Sequence, residues 1–487
     1  MVKQLLVLAF ILVFGTACEN RSKEDAEPSM KINQLQFIGS HNSYKLAIEP
    51  NLLKLLIDTD SAAMKGLDYS HILPWDQLEL GLRVLELDVF HDPEGGRFSN
   101  PRGHAFLLQQ GLTIEPYADL PKFDQPGFKV MHVQDIDFRS HFPLLRDYLE
   151  ELKAWSDLNP NHLPIFITVN AKDQNFPDRG LTEALPFDSE AFDLLEKEIR
   201  GVLPEEKCFT PAQLKRNHGS LSEAVQTAGW PDLKDIHGKF VFVLDEGGEK
   251  MDAYLQNDPS LEKSVFFVNV PADNPLAAIM ILNDPVRDQE KIQGLVKKGF
   301  IVRTRADSDT REARTNDRNK MDQAFSSGAQ LISTDYYLPD DRINSEYQVI
   351  FPNQSYVRLN PLIESVYPTD ISTIERQSEV VPLSTVDFKV AMEHKYGTVL
   401  DVRTDEEVSG GCLENAIQAD FLSDQFEDRI KSLEKSEPIL VYCKVGARSA
   451  KAADKLIAQG FKKVYHLEGG IDTWVSSGEK IVEYLPR

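Results

Sequence analysis

Short apolar, β-rich runs recur through residues 31–340, each parted from the next by helical or loop material, and few folds accept that rhythm. Candidates lie near 34–39, 82–90, 128–133, 163–170, 239–245, 265–270 or 278–282, 299–305 and 329–334. About eight strands alternating in this way predict an α/β fold, a (β/α)8 barrel of the TIM type, whose functional residues gather at the C-terminal strand ends. His41, Glu86, Asp88, His132, Asn170, Arg303 and Arg305 all fall at such ends. The strand assignment made no use of those side chains, so their placement supports it independently.

The run Phe37-Ile38-Gly39-Ser40-His41-Asn42-Ser43-Tyr44 reads as a buried strand that delivers His41 and Asn42 to a site. In the strand at 82–90, alternation puts Glu86 and Asp88 on one face. Two adjacent carboxylates repel and cost free energy when desolvated. A compensating charge is therefore expected, and a hard divalent cation held by oxygen is the simplest one. The amide oxygen of Asn42 suits the same ion. The strand at 128–133 again carries a histidine, His132, and two histidines flanking a carboxylate-held metal make a general acid/base pair. A lone histidine at a strand end is more often structural, so it is the ordered set that points to catalysis. His71, His91, His104, His141 and His162 lack such company and read as surface residues.

That set is Gly39-Ser40-His41-Asn42-Ser43-Tyr44, then Glu86 and Asp88, then Met131-His132-Val133-Gln134-Asp135-Ile136-Asp137, with 299–317 and Ser333-Thr334-Asp335 behind. It resembles the calcium-dependent phosphoinositide phospholipase C superfamily, in its bacterial branch, over about 30–340. The resemblance implies cleavage of a phosphodiester by a neighbouring hydroxyl, giving a cyclic phosphate and a released alcohol. It also implies Ca2+ held by Asn42, Glu86, Asp88 and Asn170, with His41 and His132 sharing acid and base roles that the sequence does not divide. Asn170 stands where the family commonly supplies an acidic ligand, which predicts weaker calcium binding. Lys172 is expected at the substrate. Arg303 and Arg305 are read either as phosphate ligands or as a salt-bridged pair at the barrel rim. The headgroup stays open between a phosphoinositide-type lipid and a glycerophosphodiester or other diester.

At 487 residues the chain is long enough for two or more domains. A net charge of −24 argues against a nucleic-acid partner and against global attraction to an anionic membrane, so phosphate must be met locally. Residues 1–18 have a signal-peptide layout: Lys3, an apolar run over 5–14, then Gly15-Thr16-Ala17 before Cys18. Small residues directly ahead of a cysteine resemble a bacterial lipobox. That implies lipidation of Cys18, a polar tether over 19–30, and export to the cell envelope as a membrane-anchored lipoprotein. The segment 175–235 reads as a loop excursion over the active face, either a lid or a helical decoration, and carries Cys208 as a free thiol without a role. Residues 341–379, with Pro352, Pro361 and Pro368, read as a semi-extended linker after the 31–340 barrel.

Residues 380–487 begin a second pattern. Val399-Leu400-Asp401-Val402-Arg403 and the run ending at Cys443 are short buried strands, and Lys444-Val445-Gly446-Ala447-Arg448 is a tight loop running into a helix. Backbone N–H groups and the helix dipole would stabilise a Cys443 thiolate there. With Glu468-Gly469-Gly470 and Trp474, the stretch resembles a rhodanese-like domain, which implies a sulfane sulfur carried on Cys443. Four residues separate Cys443 from Arg448, as in the persulfide-forming members; the phosphatase relatives have one more. The sulfur donor and acceptor are not legible. Cys412 departs from the family's usual residue and is read as an isolated buried cysteine rather than a resolving thiol. An alternative reading makes sulfur transfer the main activity and the barrel a binding module; another has both domains bind without catalysis.

Overall fold

The computed structural model describes residues 30–343, 345–363 and 379–485. Cys18, the expected signal peptide and all of the tether but Met30 lie outside the described residues, as do residues 344 and 364–378 of the expected linker. The N-terminal unit contains β1 (Leu35–Ser40), β2 (Val84–Phe90), β3 (Lys129–Val130), β4 (Ile165–Ala171), β5 (Phe240–Leu244), β6 (Phe266–Val268), β7 (Ile279–Ile281), β8 (Ile301–Arg305), β9 (Leu331–Thr334) and β10 (Val357–Leu359). Every residue of β1, β2 and β5 is buried, as parallel strands covered on both faces require.

Eight of these strands form two parallel sheets, β2-β4-β5-β6 and β7-β8-β9-β1, which follow chain order around a TIM-type barrel. Among the described residues the two seams between the sheets carry no ladder and are joined by single hydrogen bonds, some of them through side chains. Between β1 and β2, Glu86 N donates to Ser43 Oγ (2.7 Å) while Ser43 N donates to Glu86 O (2.9 Å). Gly39 is required at the same seam, because a β-carbon there would run into the Val84 backbone. Between β6 and β7, Ile281 N donates to Asn269 Oδ1 (3.1 Å).

The strand count matches the expectation with a different membership. The run at 128–133 yields only β3, two residues paired antiparallel to Val89 and Phe90, so His132 sits in the loop beyond it rather than at the end of a barrel strand. The two alternatives at 265–270 and 278–282 are both strands, β6 and β7. The barrel unit also runs past 340: β10 pairs antiparallel with β1, and Tyr347, Val349 and Phe351 are buried against it, so the expected linker is folded as far as Ile363. Apolar side chains at every second position of 347–351 favour packing over a solvated tether.

The 175–235 segment divides: Thr182 stays beside the His132 loop, its N and Oγ1 donating to Asp135, while the rest leaves the active face. Its helix Ser189–Val202 packs between helices Leu145–Leu158 and Gly248–Leu255. Beyond that helix, Cys208 bridges to Phe240 at the start of β5, and Leu233 N donates to Met30 O (2.7 Å), which puts this stretch over the opposite end of the barrel. Burial pushes the Cys208 thiol up to about 11, which leaves it unreactive.

The C-terminal unit is a five-stranded parallel sheet in the order β11-β15-β14-β12-β13, from β11 (Glu379–Leu383), β12 (Thr398–Asp401), β13 (Ile417–Gln418), β14 (Ile439–Tyr442) and β15 (Lys463–Leu467). It docks on the barrel flank made by helices Pro74–Leu80 and Leu145–Leu158. Trp75 stacks on His394 (ring centroids 3.9 Å), and Glu79 accepts from Trp155 Nε1 (2.6 Å) and Tyr396 OH (2.9 Å) and pairs with Lys463 (3.2 Å).

Candidate active site

His41 N donates to Thr334 O (3.0 Å), which carries the β1–β9 pairing one residue beyond β1. Asn42 then turns left-handed (φ 50°), a conformation that asparagine tolerates better than most side chains. Nδ1–H of His41 donates to Asp335 Oδ1 (2.7 Å), Nε2 accepts from Arg305 (3.2 Å), and Glu86 Oε1 lies 3.7 Å away. Burial, followed by the Arg305 guanidinium, holds this ring well below its usual pKa, so His41 is neutral at neutral pH. Its carbonyl oxygen accepts from His71 Nε2 (2.7 Å), and burial pulls His71 down to about 4.

His71 and His162 are therefore buried, against the surface placement expected of them. Each ring finds internal partners: His162 has Ser156 Oγ at 2.8 Å and donates to Leu163 O (2.6 Å).

The second catalytic candidate has the same plan. His132 Nδ1–H donates to Asp137 Oδ2 (2.8 Å), and Asp137 Oδ1 pairs with Lys45 (2.9 Å) in a fully buried contact. Burial pushes the Asp137 carboxyl upward, but Lys45 and the His132 bond outweigh it and hold the group below the usual carboxylate range. Both histidines thus anchor Nδ1 on a buried carboxylate, and Nε2 of His41 also accepts from Arg305.

Glu86 and Asp88 are both buried on β2, and protein cations neutralise them. Arg303 bonds Glu86 Oε2, and Lys172 lies 3.2 Å from Asp88 Oδ2. The compensating charge expected from a metal is thus already supplied by two side chains. Arg303 also donates to Asn283 and Ser333, and Arg305 pairs with Asp335 (3.2 Å). Of the three cations expected at substrate, Lys172 is the most open, its side chain 29% exposed against 14% for Arg305 and 2% for Arg303.

Among the described residues, no cluster of three or more His, Cys, Asp or Glu is set to hold a metal. The oxygen donors nonetheless fit one. Asn42 Nδ2 donates to Tyr69 OH (2.7 Å), which leaves Asn42 Oδ1 buried without a partner. Such an oxygen calls for a donor or a cation. Beside it on β2 and β4 are Glu86, Asp88 and Asn170, the last donating to Glu86 Oε1 (3.1 Å).

Sequence reasoning missed several members of this site. Asp245 closes β5, and burial, opposed by Arg303 and reinforced by Glu86, pushes its carboxyl up to about 6. The strand-end logic applied elsewhere would have found it. Lys45, Tyr69 and His71 lie in the irregular chain after β1 and leave no periodic trace.

In the C-terminal unit Cys443 is buried at the end of β14, its sulfur accepting from Gly446 N (3.1 Å) with Ser449 Oγ at 3.6 Å. Gly446 has φ 88°, which explains a glycine at that point of the loop. Arg448 grips Glu407 through both terminal nitrogens (2.7 and 2.6 Å). Asp401 pairs with Arg403 and accepts from Tyr442 OH (2.5 Å), bracing the strands beneath the loop. Cys412 is buried and bridges to Val482.

A sequence profile described as "Phosphoinositide phospholipase C, Ca2+-dependent" matches residues 30–361, and one described as "Rhodanese-like domain" matches 385–477. Thiosulfate sulfurtransferase 18 of Arabidopsis thaliana is 34% identical over 119 residues, which covers 22% of this chain and 85% of that protein. The tRNA uridine(34) hydroxylase of Cytophaga hutchinsonii is also 34% identical over 119 residues, but the chain spans only 38% of its length. Among solved structures, the apo form of a calcium-dependent phosphoinositol-specific phospholipase C from Pseudomonas sp. aligns at TM-score 0.41 and 16% identity, covering 68% of this chain and 95% of that one.

Proposed function

The chain belongs to the calcium-dependent phosphoinositide phospholipase C family over residues 30–361, and from that membership we propose that its barrel cleaves a phosphodiester by attack of a neighbouring hydroxyl on phosphorus. The supporting observation is the pair of histidines, each held at Nδ1 by a buried carboxylate, beside Glu86 and Asp88. The O–P bond to the attacking hydroxyl forms as its proton passes to Glu86. The bond to the leaving oxygen breaks, and that oxygen takes a proton from His132 Nε2. Asp137 stabilises the imidazolium that makes this transfer, as a carboxylate behind a general acid does. Arg305 faces the place where charge grows on the phosphoryl oxygens, neutral His41 orients that guanidinium by accepting from it at Nε2, and Lys172 exchanges Asp88 for phosphate. The products are a cyclic phosphate and an alcohol.

Asn42, Glu86, Asp88 and Asn170 would hold Ca2+, which supplies a lowered hydroxyl pKa and charge neutralisation at phosphorus. The substrate class is a phosphoinositide-type lipid, met at a membrane to which Cys18 would anchor the exported chain. The rhodanese-like domain carries a sulfane sulfur: the Cys443 thiolate attacks the donor's outer sulfur, an S–S bond forms, and the donor leaves with its electron pair, as sulfite does from thiosulfate.

Hydrolysis of phosphatidylinositol by the signal-free protein, with Ca2+ and with chelator, tests the barrel. Calcium-dependent release of inositol phosphate is expected. Bound Ca2+ without release would move the substrate to another diester, and failure to bind Ca2+ would overturn the roles given to Asn42, Glu86 and Asp88.

A further inference from the structure

Asn170 is tied to the end of β5 on both sides. Asp245 N donates to Val169 O (2.9 Å), and Ala171 N donates to Glu246 Oε1 (2.7 Å). The β4–β5 register ends with Val169 opposite Leu244, which sets Asp245 opposite Asn170, and on the other side of β4 the same Asn170 stands opposite Asp88. Residues opposite one another on parallel strands present their side chains to one face. Asp88, Asn170 and Asp245 therefore make one row across β2, β4 and the end of β5. Asn170 Nδ2 donates to Glu86 Oε1 (3.1 Å), and Glu86 lies two residues before Asp88, so the row shares the face of the Glu86 carboxylate.

The two acidic residues that follow β5 are used differently. Glu246 is consumed by the Ala171 backbone and by Lys250 (2.6 Å). Asp245 has no ion pair among the described residues; Asn269 Nδ2 donates to its Oδ1 at 3.4 Å, and its carboxylate lies in the fields of Glu86, Asp88 and Arg303.

Charge decides what that carboxylate is for. Arg303 and Lys172 cancel Glu86 and Asp88, while Asn42 and Asn170 bring neutral amides. A divalent ion entering so balanced a set gains no net Coulomb attraction, and calcium affinity follows the charge of its surroundings. Yet Asn42 Oδ1, buried without a partner at the β1 side of the same mouth, calls for a donor or a cation. Asp245 is the negative charge in the row that no protein cation pairs.

We propose that Asp245 supplies the charge that holds Ca2+ at this site, acting across Asn170 from the neighbouring strand. The inference rests on the reading in which Asn42, Glu86, Asp88 and Asn170 surround the ion. The oxygen and the charge that one acidic ligand would bring together come here from two strands: the oxygen from Asn170, the charge from Asp245. Glu246, by bonding Ala171 N, keeps the two strand ends level so that the division works.

Calorimetric titration of Ca2+ into the full signal-free chain, without substrate, tests this. Asp245→Asn keeps the shape and removes the charge, so the Kd for Ca2+ should rise about 10- to 100-fold, while the calcium-free melting temperature stays that of wild type. Asp245→Ser, which abandons the shape as well, should weaken binding to the same degree. Asn170→Asp puts a carboxylate back among the ligands. Its gain should be about tenfold or more in the Asp245→Asn background and smaller in wild type, where the charge is already present. Affinity unchanged in both Asp245 variants, or an equal gain from Asn170→Asp in the two backgrounds, overturns the role of Asp245 and leaves calcium binding standing. A wild-type chain that binds no Ca2+ overturns the calcium reading and this inference with it.

Discussion

At Asp137 one carboxylate serves two partners, His132 through Oδ2 and the buried Lys45 through Oδ1. The two functions separate by substitution. Asp137→Asn keeps the shape but cannot stabilise an imidazolium, so turnover should fall by about 10^2 to 10^4. It also strands Lys45, and removing one partner of a buried pair costs about 3–5 kcal/mol, read as a lower denaturant midpoint. Lys45→Met should destabilise similarly while leaving the Asp137–His132 bond in place, so its activity loss should be the smaller. Equal losses in turnover would mean that Asp137 acts only as a scaffold. The carboxylates on β2 give a second residue-scale expectation. Because Arg303 and Lys172 already neutralise Glu86 and Asp88, removing Ca2+ should abolish turnover without unfolding the chain. A calcium-free protein that lost cooperative melting would show the ion to be structural instead.

Among the elements, β1 has the least freedom. It has to come close enough to β2 for Ser43 to bond Glu86 in both directions, and Gly39 permits that approach. Gly39→Ala should force the seam apart, lowering stability by about 1–3 kcal/mol. Because His41 and Asn42 follow within three residues, turnover should fall further than the stability loss explains; a variant destabilised but fully active at low temperature would separate the seam from the site. The elements also divide what the sequence could say from what it could not. Strands buried on both faces, such as β2 and β4, announce themselves as unbroken apolar runs, and the polar residues closing them, Glu86, Asp88 and Asn170, stand out by contrast. The His132 stretch imitates that signal, yet β3 is a two-residue edge, because only its first residues reach the end of β2. Composition cannot tell a short antiparallel edge from a barrel strand. Asp335 was visible as a motif residue but not as a ring anchor, since pairing of β1 with β9 is a long-range fact, whereas Asp137 lies five residues from His132 and anchors it through an irregular loop that leaves no periodic signal. Lys172 is read as a substrate contact, and Arg303 as a phosphate ligand or one of a salt-bridged rim pair, for a similar reason: nothing local in 301–305 shows that Arg303 points across the barrel to Glu86 on β2.

Across the whole molecule, the two candidate sites point apart. Glu79, Trp155 and Asn159 lie where helices Pro74–Leu80 and Leu145–Leu158 lead into β2 and β4, toward the end of the barrel opposite His41. Their partners Tyr396 and Lys463 lie at the starts of β12 and β15, whereas Cys443 closes β14 at the far end of that sheet. The sites should therefore work independently: Cys443→Ser should leave phosphodiester turnover unchanged, and His41→Ala should leave thiosulfate sulfur transfer unchanged. Docking, in contrast, should depend on pH. His394 stacks on Trp75 and bonds Glu151 (3.3 Å); that bond, with Glu151, Glu393 and Asp76 all nearby, raises its pKa above the usual value despite the opposing cost of burial. A group whose pKa rises on docking stabilises the docked state fully below its undocked value of about 6.5 and loses that stabilisation as pH climbs through the raised value. Small-angle scattering should accordingly find the chain more extended at about pH 9 than at about pH 6, and His394→Gln should erase the difference. An equal change in both proteins would place the pH response elsewhere on the interface; no change in wild type would mean that Glu79, held by Trp155, Tyr396 and Lys463, suffices to keep the domains docked.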